Sequence, residues 1–223
     1  MKFSALIRCF PLLMGFLLLG GCATTANYDY SAFKESRPTS ILVLPPLNSS
    51  PDVNATYSLL AQATLPLAES GYYVFPVTLV DETFKQNGMN TPADIHQIPF
   101  SKLREIFGAD AALYINVKQY GTSYAVVMSE TRVTAEASLV DLRNGKTLWK
   151  GSATASSAEG QSSSGGLVGL LVKALIVQII ESVSDKGHPI AGVTSFRLLS
   201  AGQPNGILYG PRSPMYLKEG VPR

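Results

Sequence analysis

Cysteine is almost absent from this chain of 223 residues: there are two, Cys9 and Cys22. Histidine is as scarce, and neither His96 nor His188 has a partner at ligand spacing, which argues against a histidine-based metal centre. Charge is sparse at 15% and nearly balanced, 18 basic residues against 16 acidic, so there is no basic face for nucleic acid. No serine sits in a G-x-S-x-G elbow. Asn144 to Thr147 reads like the end of a phosphate loop, but Val140 stands where that motif needs glycine. A membrane-spanning run is also missing from the body. The most apolar stretch, Leu167 to Val183, is about 17 residues long and carries Lys173, Gln178 and Glu181. A central lysine costs about 2.5–3.5 kcal/mol on insertion, and spanning needs roughly 20 apolar residues.

What is present begins at the amino terminus. Lys2 and Arg8 precede a short apolar run, Phe10 to Leu19, which reads as a secretory signal over residues 1–21. Leu19-Gly20-Gly21-Cys22 resembles a bacterial lipobox. That resemblance implies acylation of the Cys22 sulfur, cleavage before it and acylation of the new amino group. Each buried CH₂ contributes about 0.8 kcal/mol, so more than one acyl chain makes a lasting anchor. Ala23 follows where an aspartate would favour inner-membrane retention in enteric bacteria, so the expected address is the outer membrane, periplasmic face. Lys2 and Arg8 leave with the signal, and the mature chain is formally neutral. No cysteine then remains for a disulfide or a thiol nucleophile.

Residues 22–40 read as a lipidated tether. Ser40 to Leu47 is a buried strand stopped by Pro45-Pro46. Val53, Tyr57, Leu60, Ala61, Thr64 and Leu67 recur at helical spacing, with Pro66 expected to kink the helix or end it early. Tyr72 to Val77 is the next strand, and it places one ring of the Tyr72-Tyr73 pair on each side. Thr78 with Asp81, and Thr91 with Asp94, are spaced as capping boxes for two small helices. Phe100 to Phe107 is a further helix, stopped by Gly108. From Ala109 the pattern alternates through Tyr120, then again over Tyr124–Glu130 and Arg132–Asp141, where Val133, Ala135, Ala137 and Leu139 point inward. Asn144-Gly145 predicts a two-residue hairpin turn into the strand from Lys146.

Ser156 to Gly166 reads as a flexible link. Leu167 to Val183 then reads as an amphipathic helix whose apolar stripe is wider than one sheet face would cover. Leu167, Leu170 and Val177 form that extra edge and are interface candidates, as are Tyr72 and Tyr73. The α/β domain is expected over residues 41–186, with an extended segment over 187–223 that is rich in proline and glycine. The order strand, helix, strand, helices, then a β-meander predicts an α/β sandwich, a mixed sheet with helices packed on it.

Several blocks carry a family resemblance: ILVLPPLNSS from Ile41, PLAESGYYVFPV from Pro66, FGADAALYINV from Phe107, VDLRNGKTLWKG from Val140 and ILYGPRSPMY from Ile207. They resemble small bacterial lipoproteins of undefined function that include a neisserial surface-antigen vaccine candidate. The layout is also similar to the amino-terminal domain of TolB and to curli-secretion-type lipoproteins. The resemblance implies a TolB-amino-terminal-like sandwich at the outer membrane. It also implies an association role in envelope assembly or transport, with an envelope protein partner or self-association. It supplies no catalytic residue and requires no cofactor or metal. A non-enzymatic accessory subunit is therefore the expectation. A hydrolase of peptidoglycan or lipid, or a lipoprotein that binds a small ligand, are the alternatives.

Overall fold

In the computed structural model, residues 28–124, 129–161 and 185–218 are described. Strands β1 (Ser40–Val43), β2 (Leu47–Asn48), β3 (Tyr73–Val74), β4 (Ala111–Tyr124), β5 (Ser129–Asp141) and β6 (Thr147–Ser156) form one sheet. Its order is β3-β1-β4-β5-β6, with β2 also paired to β4. β3, β1 and β4 run parallel, and β4, β5 and β6 are antiparallel, so the sheet is mixed as expected.

The helices are α1 (Ser31–Ser36), α2 (Ala55–Glu69), α3 (Val77–Gln86), α4 (Pro92–Ile95), α5 (Phe100–Phe107) and α6 (Gly187–Leu199). Chain order explains their placement. The crossover β1–α2–β3 moves one way along the sheet, and the crossover from β3 through α3, α4 and α5 to β4 moves the other way. Right-handed crossovers in opposite directions put their helices on opposite faces. One core accordingly joins α2 and α6 to Ile41, Val43, Leu113, Ile115, Val133, Leu139 and Trp149. A second joins Val80, Phe84, Ile95 and Leu103 to Leu42, Leu44 and Ala112.

The inward set Val133, Ala135, Ala137 and Leu139 is buried, because period-two alternation leaves a strand one possible inner face. Thr91 caps α4, accepting from the Asp94 N–H at 3.2 Å and donating to its carboxylate at 2.6 Å. α5 ends at Gly108, whose φ of 68° is left-handed.

Other expectations are corrected. The tether is not a tether as far as Ser40: α1 lies inside it, and Phe33 is buried in the first core. The aromatics scattered there are packing residues. The segment from residue 187 is not extended at first. Gly187 to Leu199 is a helix with Ile190, Ala191, Leu198 and Leu199 buried on the sheet. Pro189 falls in its first turn, where a missing N–H does no harm. Pro66 does not end α2 early, since the helix runs on to Glu69. The buried stripe of α2 is Leu59, Leu60, Ala63 and Leu67, while Val53 precedes the helix and Tyr57 is half exposed.

Thr78 is not a cap: α3 already starts at Val77 after Pro76, and Asp81 pairs with Lys85 at 2.6 Å. The turn before β6 is longer than two residues. The Asp141 N–H donates to the Lys146 carbonyl, and Gly145 alone takes a positive φ there, 74°. The strand expected over Tyr124–Glu130 is divided. Tyr124 closes β4, Ser129 opens β5, and 125–128 lie outside the described residues. Ser157 to Gln161 is a short 3₁₀ turn rather than a free link.

Candidate interaction surface

The sheet has two edges, and β3 is the shorter. Tyr72 and Tyr73 divide there as the alternation requires. Tyr72 is buried in the first core and donates its hydroxyl to the Leu208 carbonyl at 2.5 Å. Tyr73 is 41% exposed on the other side. Its ring meets Phe75 edge-on at 5.1 Å, Phe75 meets Phe107 at 6.4 Å, and Phe107 meets Phe84 at 5.3 Å. A ladder of rings thus runs from the surface into the second core, which fixes the outermost ring.

The segment after α6 completes this surface. The Gly210 N–H donates to the Ser70 carbonyl at 2.8 Å, and the Arg212 N–H to the Gly71 carbonyl at 3.1 Å. Gly71 has φ +97°, and a Cβ there would lie 2.5 Å from the Ser213 nitrogen. Two glycines therefore let the two backbones touch. The contact carries the Arg212 guanidinium to 5.4 Å from the centre of the Tyr73 ring. An exposed tyrosine, a stacked arginine and a rigid aromatic base is the chemistry of an interface hot spot. The role of LYGPRSPMY is invisible in the linear sequence, because its partner lies about 140 residues away.

A second feature lies where the helices α3–α5 stop short of β5 and β6. The uncovered part of that sheet face is an open trough of about 500 Å³. Registry aligns Tyr114, Ser138 and Lys150 in one row and Asn116, Glu136 and Ser152 in the next. His96 closes one side, donating from Nε2 to the Pro45 carbonyl at 2.9 Å with its ring edge-on to Tyr114. Burial holds the His96 pKa below its ordinary value, so the ring is neutral.

A third cluster links elements distant in sequence. His188 Nε2 faces the Gln62 amide nitrogen at 2.9 Å, and Nδ1 faces Ser58 Oγ at 2.8 Å. Tyr120 reaches Ser58 at 2.9 Å and Asp185 at 2.7 Å. An amide nitrogen only donates, so Nε2 accepts and the histidine proton sits on Nδ1. The Ser58 oxygen therefore accepts a hydrogen bond from the histidine instead of donating one to it. That is the reverse of nucleophile activation, and the chain ends on the Asp185 carboxylate. Burial, then Asp185, push the Tyr120 phenol up, which keeps it a donor. The cluster pins α2, β4 and α6 together.

Asp81, Asp94 and Asp110 have structural partners. Asp81 pairs with Lys85, and Asp94 caps α4. Gly108-Ala109-Asp110 is a helix stop followed by an anchor: Asp110 Oδ2 accepts from the Thr39 N–H at 2.9 Å and hydroxyl at 2.6 Å. Trp149 is a core residue whose indole donates to the Asn205 carbonyl at 2.9 Å. Cys22, Leu167, Leu170 and Val177 lie outside the described residues. Among the described residues no helix is long and apolar enough to cross a membrane.

The fold is an α/β domain with a mixed sheet and helices packed on both faces. The chain belongs to the family described as "Putative lipoprotein GNA1162-like", which matches residues 28–212. It is 51% identical over 207 residues to the "Putative lipoprotein NMB1124/NMB1162" of Neisseria meningitidis serogroup B, covering 91% of this chain and 96% of the relative. The crystal structure of lipoprotein GNA1162 from Neisseria meningitidis is 56% identical with a TM-score of 0.54, covering 65% of this chain and all of that one. TolB from Acinetobacter baumannii matches 51% of this chain and 22% of its own length, at 17% identity and a TM-score of 0.29.

Proposed function

We propose that this lipoprotein is held by acyl chains on Cys22 at the periplasmic face of the outer membrane. There it acts by protein association, as an accessory or structural subunit in envelope assembly or transport. The observation that carries this reading is the Tyr73–Arg212 surface: an exposed ring, rigidly backed and stacked by a cation 5.4 Å from its centre. The test is a photo-crosslinker at position 73 in the lipidated chain in cells. Discrete adducts that Arg212→Ala depletes support the reading. A chain that stays monomeric and forms no adduct sinks it. The apolar edge Leu167, Leu170 and Val177 is proposed as a further contact, for a second copy or a partner. Leu170→Glu or Val177→Glu then weakens association.

The trough supports a second reading, a lipoprotein that binds a small ligand. Its hydroxyls from Tyr114, Ser138 and Ser152 and the Lys150 ammonium converge on one face. Saturable chemical-shift changes confined to that face on adding soluble envelope saccharides would favour it.

A further inference from the structure

The Tyr73 edge also holds charge that the chain itself leaves unpaired. Six arginines are described, and four of them face a carboxylate: Arg104 faces Asp110, Arg132 faces Glu130, Arg143 faces Asp141 and Arg197 faces Glu159. The other two are Arg37 and Arg212. Each is exposed and has no carboxylate partner among the described residues. Each instead stands over a tyrosine. Arg212 lies 5.4 Å from the centre of the Tyr73 ring, and Arg37 lies 5.8 Å from that of Tyr216. A ring attracts a guanidinium through its quadrupole and offers no lone pair to the N–H donors. Those donors are positioned and left available to a ligand.

The two pairs share one stretch of backbone. The Ser213 N–H donates to the Gly210 carbonyl and the Tyr216 N–H to the Ser213 carbonyl, both at 3.0 Å. Such turns bring their ends within about 7 Å, so the backbones of Arg212 and Tyr216 lie within about 11 Å of each other. Arg37 reaches Tyr216 from the end of α1, where its φ of 43° is left-handed. Lys34, one turn earlier, lines the same cleft as Arg37 and Tyr216 and also has no carboxylate partner among the described residues. Two neighbouring acids are already committed, Glu35 to Lys146 at 3.2 Å and Asp110 to the Thr39 hydroxyl at 2.6 Å. Glu69, two residues before Gly71, offsets at most one of the three positive charges. We propose that this edge takes an acidic segment of a partner protein, whose carboxylates pair with Arg212 and Arg37 while an adjoining side chain packs on Tyr73. Charge complementarity selects the acids, and the guanidinium fork matches a carboxylate bidentately. A segment of about five extended residues covers the span. An anionic lipid surface draws runs of basic residues along one segment. Here guanidiniums from two separate elements stand on rings beside the exposed Leu217, and tyrosine with arginine is the composition of a protein interface. The proposal rests on the association reading above and adds the partner's chemistry to it.

The test places a photo-crosslinker at position 73 of the lipidated chain in cells and compares the native Arg37 with Arg37→Gln and Arg37→Glu. Adduct yield should fall about tenfold from the native chain to Arg37→Glu, with Arg37→Gln between them. A packing role for Arg37 would not rank the neutral variant above the acidic one. Lys34→Glu, at an exposed position of α1, should act in the same direction and guards against a folding defect at position 37. Mass spectrometry of the linked partner peptide should find at least two acidic residues within about five positions. Replacing those acids by lysine should restore the yield of Arg37→Glu. Equal yields from all four chains, or a linked peptide without acids, overturns the acidic partner and leaves the association reading standing. Label on phospholipid alone, or no adduct at all, overturns both.

Discussion

A Cβ on Gly210 would lie 2.6 Å from the carbonyl oxygen of Gly71, so these two residues touch through backbone alone. Gly71 also needs its φ of +97°. Gly71→Ala should therefore cost at least about 2 kcal/mol, from strain at a left-handed position and from a clash that no side-chain rotation relieves. The single tryptophan, Trp149, is buried and reports unfolding directly. A denaturant midpoint by its fluorescence unchanged from wild type would show that this contact is dispensable.

Tyr73→Ala should separate association from stability. The ring is 41% exposed and closes no core, so its loss should move unfolding by less than about 1 kcal/mol. A hot spot truncated to alanine costs 2 kcal/mol or more in binding, about thirtyfold in affinity. Crosslinking yield and thermal unfolding of the same preparation check both halves.

Asp141 predicts an acid sensitivity. Burial works to raise its pKa, but hydrogen bonds from Arg143 and Ser36 outweigh this and hold it at about 2, against an ordinary 3.8. A lowered folded pKa gives stability that is present above about 3.8 and is lost as pH falls through about 2. The Arg143 guanidinium is partly exposed, so solvent screening limits the effect to on the order of 1–2 kcal/mol. Wild type should exceed Asp141→Asn in stability at pH 5, and the gap should close towards pH 2. A gap that stays constant over that window would contradict this account.

His188→Ala should loosen the junction of α2 and α6. It removes one of the two partners of Ser58, which keeps Tyr120, and the partner of Gln62, and each lost hydrogen bond costs about 0.5–1.5 kcal/mol. Tyr120→Phe breaks the same chain at its other end. Amide exchange of α6 should accelerate in both variants. Exchange that stays at the wild-type rate in both would show that packing alone holds α6.

Much of the sheet was legible in the sequence because alternation permits one inner face: Val133, Ala135, Ala137 and Leu139 follow from spacing alone. α5 was legible from the Gly108 stop, and α4 from the Thr91–Asp94 cap. α6 was not. Gly187, Pro189 and Gly192 signal a loop by local preference. Burial of Ile190, Ala191, Leu198 and Leu199 against the sheet outweighs that preference. α1 was missed for a similar reason, since polar neighbours conceal the single buried ring of Phe33.

The sequence by itself carried the expectation of a signal and a lipobox, and it determined the family blocks and the division of Tyr72 from Tyr73, because each is a local pattern along the chain. The tertiary structure decided the rest. Arg212 over Tyr73, His188 on Ser58 and Tyr28 against Lys150 join residues more than 120 positions apart. Nothing in either partner's neighbourhood signals the other. Such contacts exist only once burial of the two cores has fixed the strand order, which places the segment after α6 at one edge of the sheet and Tyr28 at the other.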